Sequence, residues 1–229
     1  MTTPGRREGG RAPRAGALLL GVIPALFALG CALMSKSEPI VPRYFSPERP
    51  GDLAAPRPHA PGLPAELRLG RVTSTSNLDE RLVYRESAYE LGYYQERRWT
   101  EAPEEYLKRR LSRALFEERG LRRVVGGPAA TLDVDLVAFE EIRAPKRVGR
   151  VQVTVRFWDQ YVVRWEETLT VDEPLGAASA DAAVEALGAA LRAVVDRIAD
   201  RVVSELSPPP AAPGGGTPAT QRTVEPRRP

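Results

Sequence analysis

The distribution of proline decides which part of this chain can fold. Of the 22 prolines among 229 residues, eight fall in 39–64 and seven in 208–229, whereas only four lie in 65–206. Proline has no backbone N–H and a fixed φ, so proline-dense stretches are extended and do not build sheets or helices. We therefore predict one folded domain, 65–206, of about 140 residues, which is long enough for a single hydrophobic core.

The segments on either side of this domain are predicted to be non-globular. Residues 32–64 form a Pro-rich tether, which in polyproline II form, at roughly 3.1 Å per residue, reaches at most about 100 Å. Residues 207–229 form a disordered tail. The pair Tyr44-Phe45 interrupts the tether. Two interpretations of this pair stay open, a stray aromatic pair and an element that docks on the domain or on a partner.

The first 31 residues have the pattern of an export signal. Four arginines precede an apolar run from Ala15 to Gly30, and Cys31, the only cysteine, follows it. This order is typical of a bacterial lipoprotein signal peptide, with lipid, palmitate included, on Cys31. An uncleaved membrane anchor is a second interpretation, because Ala15–Met34 is about 20 residues long. A soluble secreted form is a third, and all three export the domain.

The charge distribution argues against nucleic-acid binding. Residues 65–206 carry 22 basic and 25 acidic side chains, a net charge of −3, so the net charge of +3 on the whole chain comes from the flanks. A nucleic-acid-binding domain concentrates basic charge on its fold. We therefore expect no nucleic-acid partner.

Alternation of apolar and polar residues predicts the strands of the domain. The predicted strands are 67–72, 121–125, 131–142, 150–158 and 163–171, and 82–85 and 90–94 are either two further short strands or an extended arm. Within 131–142, the alternation places Leu132, Val134 and Leu136 on one face of the strand and Phe139 on the other. A tight turn is predicted at Asp159-Gln160, because short apolar runs flank it.

Two helices complete the predicted domain. The first is capped by Thr100, has Pro103 in its first turn and is ended by Gly120. The second is a long closing helix, Ser179–Leu206, with apolar residues at spacings of three and four. The order of elements predicts the α/β class: a single two-layer domain in which a mixed, largely antiparallel sheet is covered on one face by two main helices.

The densest aromatic cluster of the chain lies between Leu82 and Pro103. Its aromatic residues are interleaved with arginines, which is typical of a half-buried sheet surface or of a platform that stacks on bases or sugars. The order within the stretch is Leu82-Val83-Tyr84-Arg85, then Glu90, Tyr93-Tyr94 and Arg98-Trp99, before an acidic-Ala-Pro helix start. In these residues the chain resembles the ABC-type transport auxiliary lipoproteins, of which paraquat-inducible protein C is the best-known type. The resemblance extends over about 63–206.

The resemblance implies a lipoprotein that faces the periplasm and assists an ABC- or MCE-type lipid transporter. In the family's usual hosts, Ala32 after the cysteine implies sorting to the outer membrane, with inner-membrane anchoring as the alternative. We expect contact through the aromatic stretch and an exposed sheet edge. The candidate partner-binding residues are Tyr84, Arg85, Glu90, Tyr93, Tyr94, Arg98 and Trp99. Self-association into a ring is left open.

The predicted domain lacks the residues that most catalytic sites use. It has no cysteine and no histidine, since His59 lies in the tether. Without a histidine base the usual nucleophile arrangements fail, so we expect neither enzyme activity nor a cofactor. The acidic pairs suggest a cation site or glycosidase carboxylates, but no further ligand accompanies them, and we predict solvated faces and no metal. These pairs are Asp133 with Asp135 and Glu140 with Glu141.

Two other non-catalytic functions remain open at this point. The domain is a lipid carrier if an apolar groove lies between helices and sheet. It is an envelope structural protein if it serves no transporter.

Overall fold

The computed structural model describes residues 40–51 and 65–207. The chain divides into two compact units, Met1–Val41 and Pro42–Pro229, and every element below belongs to the second. Of the first unit only Ile40 and Val41 are described, and both are exposed. The predictions for Cys31, the apolar run before it and the residues after 207 lie outside the described residues.

The described residues of the second unit form eight strands and two helices. The strands are β1 (Arg43–Phe45), β2 (Glu66–Ser74), β3 (Arg81–Arg85), β4 (Leu91–Trp99), β5 (Arg122–Arg123), β6 (Ala130–Ile142), β7 (Val148–Asp159) and β8 (Val162–Pro174). The helices are α1 (Pro103–Ser112), which continues as a π-helical turn over Arg113–Glu118, and α2 (Ala180–Leu206). The predicted α/β class is confirmed: two helices pack on one open, mixed sheet.

The long strand β6 organises the sheet. Strand β7 pairs with one edge of β6 and carries β8 on its other side. The second edge of β6 is shared, because β2 pairs with its first half and β3 with its last three residues, both in parallel. Strand β5 pairs with the outer edge of β2. On the other side, β4 pairs with the outer edge of β3, and β1 pairs with β4. The long pairings are therefore antiparallel, while four shorter ones are parallel.

The hydrophobic core lies between the sheet and the two helices. Helix α2 packs across β7 and β8, and α1 packs across β2 and β6. The core residues of β7 are at every second position and those of α2 recur every three or four, as the two periodicities require. They are Val151, Val153, Val155 and Phe157 from β7, and Leu187, Leu191, Val194 and Ile198 from α2, all buried.

The helix ends agree with those predicted from the sequence, except for the N-terminal cap of α1. Ser179 caps α2, since its hydroxyl accepts from the Ala182 N–H at 3.1 Å. Gly120 follows the π-helical turn with a φ of 68°, a left-handed conformation that favours glycine. The predicted Thr100 cap is wrong, because Ala102 occupies the cap position and Pro103 begins the helix.

A bulge in β6 corrects the predicted orientation of Phe139. The pairing with β7 shifts between Leu136 and Ala138, so β6 has one extra residue there. An extra residue reverses the alternation of faces beyond it. Phe139 therefore lies opposite Val151 on the core side and is fully buried.

Part of the predicted tether belongs to the sheet. Residues 43–50, which we call the N-terminal strap, begin with β1, and Phe45 packs against the core while Tyr44 is exposed. The Glu48 carboxylate is only 4% exposed and accepts from Arg109 at 2.6 and 3.0 Å. The prediction that residues 32–64 do not pack is therefore wrong for the strap, and the remaining domain boundaries stay predictions.

The strap also contacts α2. Arg49 forms an ion pair with Glu185. A Cβ added at Gly188 would lie within 3.0 Å of the Pro47 carbonyl oxygen. The strap thus bridges the two helices, because Glu48 binds α1 while Pro47 and Arg49 lie against α2.

Candidate functional site: an aromatic and arginine surface on one hairpin

The predicted aromatic stretch forms the hairpin of β3 and β4. Both helices pack mainly over β2, β6, β7 and β8, so the tip half of this hairpin extends beyond them. The connecting turn is closed by the Glu86 N–H, which donates to the Glu90 carbonyl at 3.0 Å, and by the Ser87 hydroxyl, which accepts from the Tyr89 and Glu90 N–H groups. Tyr84, Tyr93 and Tyr94 are half-buried there, and Tyr93 and Tyr94 pack against the margin of the core.

Tyr84 and Tyr94 form the centre of this surface. Their ring centroids are 5.0 Å apart in an edge-to-face arrangement, a geometry that aromatic quadrupoles favour. Tyr84 lies beside Gly92 on the neighbouring strand and is directly opposite Glu141 on β6. A Cβ at Gly92 would lie within 3.0 Å of the Tyr84 ring, so only glycine leaves room for that ring.

Two arginines stack on these rings. The Arg143 guanidinium carbon is 3.6 Å from the Tyr84 ring centroid and 5.2 Å from that of Tyr94, and the Arg97 carbon is 3.9 Å from the Tyr94 centroid. Such contacts are favourable, most of all where water is excluded. We call Tyr84, Tyr94, Arg97 and Arg143 the Tyr–Arg cluster.

Carboxylates hold the Tyr–Arg cluster in place. Arg143 donates to Glu86 at 2.8 Å. Partial burial alone lowers the pKa of Arg143, but hydrogen bonding to Tyr94 and Glu86 outweighs it and raises that pKa above its ordinary value. The Tyr94 hydroxyl donates to Glu141, which also accepts from Arg147 Nε at 2.9 Å. These contacts hold the cluster in one arrangement, and Arg143 stays positively charged throughout the physiological pH range because its pKa is raised.

The predicted solvated face is wrong for Glu140 and Glu141. Both carboxylates are buried, and each is neutralised by an arginine, Glu140 by a two-point contact with Arg85 at 2.7 and 3.1 Å. A buried carboxylate requires such a partner because desolvation disfavours its charged form. The pairing links β6 to the hairpin, so these residues position the surface.

Asp133 and Asp135 also have structural partners. The Asp133 carboxylate accepts from the Arg71 N–H at 2.8 Å and from Trp158 Nε1 at 3.0 Å, where β2 has a bulge. Asp135 accepts from the Thr73 hydroxyl. Within the described residues, no group of three or more His, Cys, Asp or Glu side chains could hold a metal ion.

The opposite face of the hairpin carries a second, smaller group. Arg81 stacks on Tyr93 with 4.2 Å between guanidinium carbon and ring centroid, and it donates to Asp79. Partial burial alone would raise the pKa of Asp79, but the hydrogen bonds from Arg81 lower it overall. Arg98 lines an adjoining hollow of about 470 Å³, and its buried Nη1 has no hydrogen-bond partner in the described part of the chain.

The seven predicted contact residues therefore do not form one surface. Tyr84 and Tyr94 lie in the Tyr–Arg cluster, whereas Arg85 forms an ion pair with Glu140. Tyr93 and Arg98 belong to the second group, on the opposite face of the hairpin. Glu90 is exposed in the turn. Trp99 is 1% exposed and packs on Phe139 and Tyr106, so it cannot touch a partner in the folded state. The prediction of Trp99 as a contact residue is corrected to a core residue.

Sequence reasoning missed Arg97, Arg143, Glu141 and Arg147 as parts of this surface. Three of them come from the end of β6 and the turn after it, about 50 residues from the aromatic stretch in sequence. The adjacent Glu140-Glu141 pair, directly after the apolar run 136–139 of β6, was the available signal, because a pair of buried acids requires cationic partners.

Substituting Gly92 with alanine should disrupt the cluster without changing the core. The new Cβ pushes the Tyr84 ring away from Arg143, and we expect a loss of about 1–2 kcal/mol in the free energy of unfolding, measured by urea titration. Gly126→Ala is the matched control, because nothing lies within 4 Å of a Cβ there. Equal stability of Gly92→Ala and the wild type would contradict the described position of Tyr84.

Comparison with known proteins identifies the family. The family described as ABC-type transport auxiliary lipoprotein component matches residues 49–199. The chain belongs to this family. The resemblance inferred from the aromatic stretch is thus confirmed. The search of curated proteins found no match to the lipoprotein.

Solved structures share the fold of the lipoprotein. Protein XCC0632 from Xanthomonas campestris, of family DUF330, is 20% identical with a TM-score of 0.56, over 66% of this chain and 90% of that one. An uncharacterized protein is 15% identical with a TM-score of 0.53, over 71% of this chain and 99% of that one. Within residues 40–51 and 65–207, neither helix is long and apolar enough to cross a membrane.

Proposed function

We propose that the lipoprotein is a non-catalytic, membrane-anchored auxiliary component of an ABC/MCE-type lipid transport system in the cell envelope. Family membership supports a transporter as the partner. The Tyr–Arg cluster supports contact as the mechanism, because it is an ordered aromatic and cationic surface that the helices leave uncovered. Tyrosine and arginine are the residues enriched at the energetic centres of protein interfaces.

The anchor in this proposal is lipid on Cys31, in the outer membrane with the domain facing the periplasm. The charge and apolar pattern of the first 31 residues supports export, and Ala32 after the cysteine supports outer-membrane sorting. In sequence, the N-terminal strap lies between the proposed anchor and residue 65, and its strand β1 pairs with β4. The chain that leads to the membrane therefore starts from within the sheet.

Docking through a sheet edge is the second part of the proposed mechanism. Strand β1 pairs only with Arg97–Trp99, so in the described residues the outer edge of β4 from Leu91 to Glu96 has no neighbouring strand. The other long free edge, that of β8, is less suited to strand addition because Arg164, Glu166, Glu167, Asp172 and Glu173 are charged. The β4 edge lies beside the Tyr–Arg cluster, so one partner can use both.

A carrier function has less support. The described helix–sheet interface is filled by the side chains of β7 and α2, which are buried and in contact. A carrier needs an apolar cavity of several hundred Å³ that encloses its ligand. Bound phospholipid in the purified protein would favour the carrier.

The test is co-purification with the transporter from crosslinked membranes. The variant Arg97→Glu/Arg143→Glu reverses both cations of the cluster and should reduce recovery of ABC or MCE components by about tenfold or more, the effect of losing a central contact. The control Lys108→Glu/Arg197→Glu makes the same charge change on exposed helix positions and should keep recovery unchanged. Recovery that is equal for both variants, with both folded, would refute the cluster as the docking site.

A further inference from the structure

Two loops at one end of the molecule expose apolar side chains together. Residues 124–129 and 160–163 face each other across a hollow of about 710 Å³, and we call them the apolar tip. Val125 is 92% exposed, Tyr161 is 96% exposed and Val162 is 63% exposed. Single exposed apolar residues are ordinary on protein surfaces, but a contiguous group of them marks an interaction site.

The backbone holds these side chains outward. Tyr161 occupies the two-residue turn between β7 and β8, where turn residues are usually small and polar. The preceding Gln160 has a φ of 56°, and Gly127 in the other loop has a φ of 90°. The Arg68 side chain donates to the Gly127 carbonyl and ties the second loop to β2.

The apolar tip is surrounded by positive charge. Its residues, 124–129 and 160–163, include no charged side chain. Four arginines border it. Arg68 lines the hollow, and Arg122 and Arg123 precede the first loop, where the Arg123 guanidinium donates to Ser112 and lies over Phe116. Arg164, which is exposed, follows the second loop. Glu66, paired with Arg122, and Asp159 are the acidic residues nearby in sequence and pairing. The positive charge around the apolar tip contrasts with the domain as a whole, because residues 65–206 have a net charge of −3.

From this arrangement we infer that the apolar tip binds the surface of an anionic lipid bilayer. Valine and tyrosine enter the boundary between headgroups and acyl chains, where amphipathic aromatic rings are favoured. Arginines around them reach the phosphates, with their stems lying along the apolar layer. The tip has uncharged loops and a basic rim, which complements a negative surface over an apolar interior better than it complements a protein groove.

The position of the tip separates it from the proposed transporter contact. The tip lies at the beginning of β6, and the Tyr–Arg cluster contacts the end of the same strand. At roughly 3.3 Å per residue, the 13 residues of β6 put these surfaces about 40 Å apart. The domain can therefore contact a bilayer at one end while its other end is occupied. The inference does not depend on the proposed transporter contact, and only its test uses the proposed N-terminal anchor.

Vesicle capture by the full-length protein tests this inference. The protein is reconstituted by its own N-terminal segment into donor vesicles of phosphatidylcholine, and dye-labelled acceptor vesicles of phosphatidylcholine with or without phosphatidylglycerol are added. We expect several-fold more capture of the acceptors that contain phosphatidylglycerol, and release by added salt because charge attraction is screened. Capture that is equal for the two acceptors would overturn the inference.

The variant Val125→Ser/Tyr161→Ser assigns capture to the apolar tip. It should reduce capture to the level of acceptors without phosphatidylglycerol. The control Tyr44→Ser/Tyr89→Ser removes two other exposed aromatic side chains and should leave capture intact, with circular dichroism confirming that both variants fold. Unchanged capture by Val125→Ser/Tyr161→Ser would overturn the inference. So would absence of capture by the wild type together with crosslinking of the tip to a protein, which would indicate a protein partner.

Discussion

Replacing Trp99 with alanine should lower the free energy of unfolding by about 3–5 kcal/mol, the range observed when a fully buried aromatic residue is truncated. The ring of Trp99 lies 5.0 Å from that of Phe139 and 6.2 Å from that of Tyr106, so it joins β4, β6 and α1. Neither neighbour can fill the space, because both are themselves buried. Urea unfolding followed by far-ultraviolet circular dichroism measures the change.

The control for this substitution is Trp99→Phe. It keeps an aromatic ring between the neighbours and removes an indole N–H that is buried without a hydrogen-bond partner in the described residues. We expect it to cost less than half as much as alanine, because most of the packing is retained. If Trp99→Ala proved nearly as stable as the wild type but failed to recover the transporter, Trp99 would be a contact residue after all.

Gly188→Ala should destabilise the protein although it improves the helix. Alanine is favoured over glycine inside a helix by about 1 kcal/mol. At this position, however, the Cβ would lie within 3.0 Å of the Pro47 carbonyl oxygen, which is backbone and cannot rotate away. The N-terminal strap must move, and we expect a net loss of about 2–3 kcal/mol in the free energy of unfolding.

Whether Gly188→Ala stabilises or destabilises the protein depends on the strap. A variant with a loosened strap is therefore the control. In a Phe45→Ala/Glu48→Ala background the strap has lost its core contact and its ion pair with Arg109. There the substitution should be neutral or stabilising, because only the helix preference remains, and the two effects should not add. Stabilisation of the otherwise wild-type protein by Gly188→Ala would show that the strap does not rest on α2.

The strap and the Tyr–Arg cluster are connected through β4. Strand β1 of the strap pairs with β4, which carries Tyr94 and Arg97 of the cluster. We propose that a pull on a lipid anchor at Cys31 acts on the same strand that meets the transporter. The buried ion pair of Glu48 with Arg109 fixes the strap to α1.

Local patterns along the chain predicted much of the fold. The alternation in β7 and the three-and-four spacing in α2 predicted that each element has one apolar face, because both periods follow from backbone geometry. The predicted orientation of Phe139 and the predicted cap at Thr100 were wrong because each depends on a contact with another part of the chain. A bulge against β7 turned Phe139 to the core, and the Thr100 hydroxyl is hydrogen-bonded to Tyr106, 2.6 Å away, instead of capping α1.

The candidate site was only half visible before the fold was known. The aromatic stretch indicated Tyr84 and Tyr94, and it also led to the family. It said nothing of Arg143 or Glu141, because these come to the hairpin through the parallel pairing of β3 with the end of β6. The same stretch included Trp99, whose burial depends on α1 and β6 folding over it.

By itself, the sequence determined the class of the fold, the family and the absence of cysteine and histidine from the folded domain, because these depend on composition and on patterns between near neighbours. The tertiary structure alone decided that the strap joins the sheet, that Glu140 and Glu141 are buried, and that Tyr84 and Tyr94, but not Tyr93, share the Tyr–Arg cluster. Those outcomes depend on strand register and on side-chain hydrogen bonds between residues 47 to 61 positions apart in sequence, which no local pattern encodes.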